Sequence, residues 1–403
     1  MLKNITHVRG IKCWGAHMGI KSKRRDLALI YSEVPASAAA VFTRNVVCAE
    51  PIKLSRKHIK NGKAQAFVIN SGNANACTGT KGMEGAVAMA ETTAKELKIP
   101  MDSVIVASTG LIGEPFPTEK VLKGIRESAR KLSDRDIAGS LAANAILTTD
   151  TFAKEGFTSF SIDGIEINMA GIAKGSGMIH PNMGTMLGFI VCDIAISPKL
   201  LDEALRTAVD KSFNMITVDG DTSTNDMVSI MCNGKAGNKE IRKKDANYEL
   251  FVSNLTDLCA HLARLIVSDG EGSTKLIEYR VKGAKSEEDA RQIVRTVSNS
   301  NLVKTAVFGS DPNWGRIIAA AGRAGVNFDP DKLDLFLGTE LNQLYPVLEK
   351  AQPVDGVRKK LEKVMSSSTI IILIDLNQGD EEAVGWGSDF SYEYVRINAE
   401  YTT

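Results

Sequence analysis

The chain predicts an α+β fold of layered sheets covered by helices, with a smaller α+β unit toward the C-terminus. Strand-like and helix-like segments mix without a strict βαβ rhythm, short apolar runs end in glycine- and asparagine-rich turns, and the alanine-rich or 3.6-periodic stretches between them suit helices lying on a sheet. With 403 residues the chain is long enough for two or three packed units and a large buried core.

The first apolar runs, at 27–31, 38–42, 66–70 and 104–107, read as strands. Between them the segment 82–97 is alanine-rich and helix-forming, and Val121, Leu122, Ile125, Ala129 and Leu132 recur at helical spacing behind Pro117 and Thr118. Residues 186–196 read as a buried strand, followed by Ser197 as an N-cap and Pro198 as the first-turn proline of a helix reaching about 213. A long buried helix follows at 250–267, then a strand at 275–281, a helix opened by Ser286 and Asp289, and a strand at 303–308. The segment 275–365 is the expected smaller unit, and strands at 369–376 and 392–398 close the chain.

Lysine plus arginine number 49 against 48 aspartates and glutamates, a net charge of +1, so no basic nucleic-acid surface is expected. The six cysteines form no C-x-x-C pair and read as thiols of a reducing compartment. The N-terminal residues lack the apolar core of a secretory signal, and no run approaches the roughly 18 continuous apolar residues of a membrane span. A cytoplasmic protein with small-molecule partners, no nucleic acid and no membrane, is the expectation.

Several glycine-rich segments imitate cofactor sites. Gly175-Ser176-Gly177 lacks the third glycine of a dinucleotide fingerprint and is followed by His180 and Pro181. The run from Gly270 to Lys275 has the wrong residue order for a phosphate loop and precedes a strand. The acidic stretch 219–226 lacks the glycine and glutamate of a calcium loop and reads as a hydrogen-bonded turn bordering a pocket. The five histidines show no zinc spacing, so neither a metal nor a bound cofactor is expected.

A different chemistry is available at Gly184-Thr185, where a hydroxyl residue stands behind a glycine at the mouth of a strand. If that bond breaks by attack of the threonine oxygen on the preceding carbonyl, Thr185 gains an α-amine of pKa about 7.7 to 8.0 beside its own hydroxyl. Thr109 and Gly110 end a short apolar strand where they could hold a developing oxyanion. Lys174, in a small and apolar stretch, is either a surface lysine or a semi-buried cation facing a carboxylate or the nucleophile.

In order along the chain, Asn70-Ser71-Gly72-Asn73-Ala74-Asn75-Ala76, Ser108-Thr109-Gly110, Thr148-Thr149-Asp150-Thr151, residues 174–187, 219–226, Asp269-Gly270-Glu271-Gly272, Asp311-Pro312-Asn313-Trp314-Gly315-Arg316 and Ile397-Asn398-Ala399 closely resemble the ornithine acetyltransferase family of arginine biosynthesis, the bifunctional glutamate N-acetyltransferases. The resemblance implies self-cleavage into an α chain, 1–184, and a β chain, 185–403, assembled as an α2β2 heterotetramer. It implies Thr185 as the nucleophile that carries acetyl from N-acetyl-ornithine to glutamate, with Thr109 and Gly110 at the oxyanion. Thr151, Lys174, Thr185, Glu271, Asn398 and the terminal Thr403 would surround the substrate. Some members also take acetyl-coenzyme A as a co-substrate, and no motif distinguishes them. The family often has alanine where this chain has Gly184, and arginine at the penultimate position where this chain has Thr402. An N-terminal-nucleophile amidohydrolase or peptidase would use similar groups and is the alternative reading.

Overall fold

The computed structural model describes residues 3–180 and 186–400. In chain order its strands are β1 (Ile11–Ala16), β2 (Leu27–Phe42), β3 (Lys63–Asn73), β4 (Val104–Leu111), β5 (Lys154–Ile162), β6 (Ile165–Lys174), β7 (Leu187–Cys192), β8 (Ile216–Thr217), β9 (Met227–Cys232), β10 (Leu276–Ala284), β11 (Asp334–Glu340), β12 (Gln343–Glu349), β13 (Gln352–Pro353), β14 (Thr369–Asp375) and β15 (Glu381–Ser388). Among the described residues they form two mixed sheets. One runs β4-β3-β2-β9-β7-β6-β5 with β1 paired to β2, and the other runs β13-β12-β11-β14-β10-β15-β8. The α+β class expected from the sequence is the class observed.

The two apolar runs at 27–31 and 38–42 are one long strand. β2 pairs with β1 along its first half and with β9 along its second, while its pairing with β3 shifts register between Tyr31 and Ala36. Pro35 lies inside that shift, where a residue without a backbone N–H does least harm to the ladder. β3 and β4 run parallel, with Asn70 to Gly72 beside Ser108 to Gly110, so the asparagine-rich and Ser-Thr-Gly segments end side by side.

Helices Pro198–Asp210 and Ala246–Ser268 share a core with β6, β7 and β9, built from Leu201, Leu205, Phe251, Leu255, Leu262 and Ile190 among others. Each large apolar side chain fully buried contributes about 1.5–3 kcal/mol, so tertiary burial, more than propensity, holds this helix pair. Helix Ala246–Ser268 is long and apolar enough to cross a membrane, but here it is a core helix, opened by Asp245, whose side chain accepts the Tyr248 N–H. Ser197 does occupy the N-cap position before Pro198, although its side chain makes no cap hydrogen bond.

Two expected strands are helices. Residues 303–308 belong to helix Asn301–Phe308, which buries Val303, Ala306 and Val307 at i, i+3 and i+4. A short apolar run satisfies a buried helix as readily as a strand. Residues 392–398 belong to helix Tyr392–Glu400, opened by the Ser391 hydroxyl accepting the Glu393 N–H and braced by the Arg396–Glu393 ion pair. The second sheet also draws strands from both sides of 275–365, because β8, β14 and β15 flank the strands of that segment.

Candidate active site

A cavity of about 190 Å³ opens where the β4 end, the β6 end, the 219–226 turn, the 269–272 loop and the C-terminal helix meet. Thr109, Gly110, Lys174, Glu271 and Asn398 all line it, and its polar wall also includes Thr148, Thr149, Asp219, Asp221, Asn225 and Tyr394. Thr151 stands next to that wall: its N–H donates to Asp269 Oδ2 at 2.9 Å and its hydroxyl donates to the same carboxylate. Gly184, Thr185 and Thr403 lie outside the described residues.

Lys174 is buried at the end of β6 and its Nζ donates to Thr109 Oγ1 at 3.3 Å. Burial pushes its pKa below the ordinary lysine value, while Asp150 pulls the other way and Lys154 reinforces the depression. Of the two placements open for this lysine, on the surface or semi-buried, the structure shows it buried. Gly110 adopts φ +131°, and a Cβ there would stand 2.3 Å from the Gly72 carbonyl carbon, so close contact with the neighbouring strand requires glycine.

A buried ion triad sets this geometry. Lys154, fully buried on β5, is paired with Asp150 at 2.5 Å and with Asp269. Asp150 accepts the Gly175 N–H at 2.8 Å and the Thr148 N–H at 2.9 Å, and Ser176 Oγ donates to the Asp269 carbonyl at 2.6 Å. The triad therefore pins the 148–151 loop, the residues following Lys174 and the loop carrying Glu271 to one point. Burial is the strongest influence on Asp150 and acts to raise its pKa, but Lys174, Lys154 and the Gly175 N–H together outweigh it and hold the carboxyl at about 2.

Glu271 faces the cavity beside Gly177, and its Oε2 accepts a hydrogen bond from Asn398 Nδ2 at 3.0 Å. A Cβ on Gly177 would fall 2.4 Å from Oε2, so that glycine makes room for the carboxylate. Asp219 accepts the Met178 N–H at 2.6 Å and the Ile179 N–H at 2.9 Å, and the Tyr394 hydroxyl at 3.3 Å. It holds Met178 in a left-handed conformation, φ +55°, at the cavity edge. Burial raises the Asp219 pKa in spite of these donors.

The 219–226 turn borders a pocket as its composition suggested, and Asn225 Nδ2 ties it to the carbonyls of Ala74 at 2.7 Å and Ser108 at 2.8 Å. Sequence reading missed Tyr394 and Lys154. Tyr394 was hidden because its segment read as a strand, whereas a helix brings 394 and 398 to one face, one turn apart. Lys154 carries no local signal, since its two carboxylate partners are 4 and 115 residues away.

A hydroxyl hydrogen-bonded to a buried lysine, in a cavity of small-molecule size that a carboxylate also lines, is an arrangement an α+β enzyme can use for group transfer on a small polar substrate. The model of the ArgJ family matches residues 12–403, and the chain belongs to that family. It is 49% identical over 395 residues to the arginine biosynthesis bifunctional protein ArgJ of Caldanaerobacter subterraneus, covering 98% of this chain and 97% of that one. The protein of the same name from Symbiobacterium thermophilum is 48% identical over 402 residues, covering 99% and 98%. Among solved structures, the Mycobacterium tuberculosis ornithine acetyltransferase complexed with ornithine aligns at 31% identity and a TM-score of 0.40, covering 46% of this chain and 96% of that one.

Proposed function

We propose that the protein is the bifunctional acetyltransferase of arginine biosynthesis, moving acetyl from N-acetyl-ornithine to glutamate through an acetyl-enzyme on Thr185. The observation that carries this reading is the convergence of Thr109, Gly110, Lys174, Glu271 and Asn398, from four distant stretches of chain, on one cavity. The chain leaves the described residues after His180, two positions beyond the cavity-lining Met178, and returns at Met186, next to Leu187, which pairs with Lys174 across β6 and β7. That continuity supports Thr185 as the group served by the site.

In the mechanism, cleavage of Gly184-Thr185 yields chains 1–184 and 185–403 and frees the Thr185 amine. That amine takes the hydroxyl proton as the oxygen attacks the acetyl carbonyl, the O–C bond forms, and the substrate N–C bond breaks with its nitrogen reprotonated. Thr109 and Gly110 stabilise the oxyanion, Lys174 answers a substrate carboxylate, and Glu271, oriented by Asn398, takes the cationic amine. Thr151 and Thr403 complete the substrate contacts. Glutamate then attacks the ester and recovers the acetyl group. The enzyme acts as an α2β2 assembly in the cytoplasm, with no bound cofactor and with acetyl-coenzyme A as second donor.

Denaturing electrophoresis with N-terminal sequencing tests the first step: two fragments are expected, the smaller-numbered chain ending at Gly184 and the second starting at Thr185. Thr185→Ala is expected to stay a single inactive chain. Acetyl released as free acetate rather than as N-acetylglutamate, with glutamate present, would instead identify an amidohydrolase.

A further inference from the structure

Four cations occur within five residues at Lys21, Lys23, Arg24 and Arg25, in a chain whose overall charge is only +1. The loop that carries them is built, not loose. Buried Asp26 accepts the N–H groups of Met18, Ile20 and Lys21, and the side chains of Ile20 and Lys21 lie on Gly72, where a Cβ would meet Ile20 Cγ2 at 2.7 Å. Lys120 Nζ holds the far side through the Gly19 carbonyl at 3.0 Å.

The same loop is bonded to a segment that forms part of the cavity wall. Lys21 Nζ donates to the Leu147 carbonyl at 2.8 Å, and Arg24 Nη1 donates to the carbonyls of Thr148 at 3.3 Å and Asp150 at 3.0 Å. Thr148 and Thr149 line the cavity itself. These bonds go to neutral carbonyls, not to carboxylates. Partial burial, opposed by Asp26 and assisted by Arg24, lowers the Lys21 pKa to about 8, and Lys174 and Asp150 are close enough to act on it as well. Ser22, Lys23 and Arg24 are exposed. Glu271, Asp219 and Asp221 line the cavity together with Lys174, and the 21–25 cations lie on the other side of the Thr148 backbone that Arg24 binds.

Size then separates the two kinds of acetyl donor. A cavity of about 190 Å³ admits an acetylated amino acid, but is smaller than the roughly 300–1,000 Å³ that encloses a drug-sized ligand. An acyl group carried on a nucleotide can enter only by its acyl end, leaving the phosphates at the mouth. We propose that the 21–25 loop binds the phosphate groups of a nucleotide-borne acyl thioester of the acetyl-coenzyme A kind, while its acetyl end reaches the cavity. The proposal rests on the reading that a thioester is the second donor. In that step the Thr185 oxygen bonds to the acetyl carbon, the C–S bond breaks, and the hydroxyl proton leaves on the thiol, so no other reactant is needed.

The test compares both donors in wild type, Lys23→Gln and Lys23→Glu. Loss of one charge-assisted phosphate contact is expected to raise the KM for acetyl-coenzyme A about five- to tenfold, more for the charge reversal, with Lys23→Arg restoring it. The KM for N-acetyl-ornithine should change less than twofold, and acetyl-pantetheine, which lacks the nucleotide phosphates, should be indifferent to the substitutions. Equal effects on both donors, or none on acetyl-coenzyme A, overturn the proposal. Should the wild-type enzyme make no N-acetylglutamate from acetyl-coenzyme A, the second-donor reading fails, and calorimetry with coenzyme A tests the site alone. Binding weakened by Lys23→Glu sustains the phosphate site; absence of binding to wild type overturns it.

Discussion

The ammonium of Lys174 stands 3.3 Å from the hydroxyl of Thr109, joining the ends of two strands separated by 65 residues in sequence. In the proposed mechanism this contact sets the Lys174 amino group against the hydroxyl that serves the oxyanion, so that charge developing on the carbonyl would meet a donor already polarised and already desolvated.

Thr109→Val should remove that donor at nearly constant volume. Loss of one oxyanion donor costs about 100- to 1,000-fold in kcat. Steady-state kinetics should show the fall in kcat with little change in KM, and Thr109→Ser should recover most of it. A fall in KM-dependent affinity alone would assign Thr109 to binding instead.

Glu271 and Gly177 should act on the same parameter. On the proposed role of Glu271 as partner of the substrate amine, Glu271→Gln should raise the KM for N-acetyl-ornithine by about ten- to a hundredfold, the range of a hydrogen bond to a charged group. Gly177→Ala places a methyl 2.4 Å from the carboxylate oxygen and should displace it, raising the same KM while the fold stays intact by circular dichroism. An unchanged KM in both variants would remove Glu271 from the substrate site.

The Lys154 triad should govern stability. Removing one member of a buried ion pair leaves uncompensated charge and costs about 3–5 kcal/mol. Lys154→Met should show that loss in urea unfolding, together with reduced activity, because Asp150 and Asp269 position both Lys174 and Glu271. A variant as stable as wild type would mean that the triad relaxes without consequence.

Asp150 should leave a signature in acid. Its carboxyl is held at about 2 against an ordinary value of 3.8, so between those pH values the unfolded chain binds more protons than the folded one. The stability it contributes is complete above about pH 4 and is lost as pH falls toward 2. Asp150→Asn should flatten the stability-against-pH curve in that window, measured by urea unfolding at successive pH values.

Much of the fold could be read along the chain because its long elements carry strong local signals. The helix at 246–268 repeats apolar residues at helical spacing, Ser286 caps the Asp289 N–H as its sequence pattern requires, and the β4 and β14 runs are rich in branched residues. The failures at 303–308 and 392–398 share one cause. Short apolar runs carry no period long enough to separate helix from strand, and packing on neighbouring elements decides.

By itself the sequence determined the family motifs, the identity of the groups available for chemistry, and the α+β class, since those depend on residue type and local periodicity. Only the tertiary structure decided which groups meet. Parallel pairing of β3 and β4 sets Thr109 and Gly110 beside the asparagine-rich segment, the helical turn near residue 394 delivers Tyr394 and Asn398 together, and Lys154 clamps the loop that carries Glu271 to the chain just after Lys174. The reason is physical: a charge is taken out of water only where partners compensate it, and a partner such as Asp269, 115 residues from Lys154, is encoded by no local pattern.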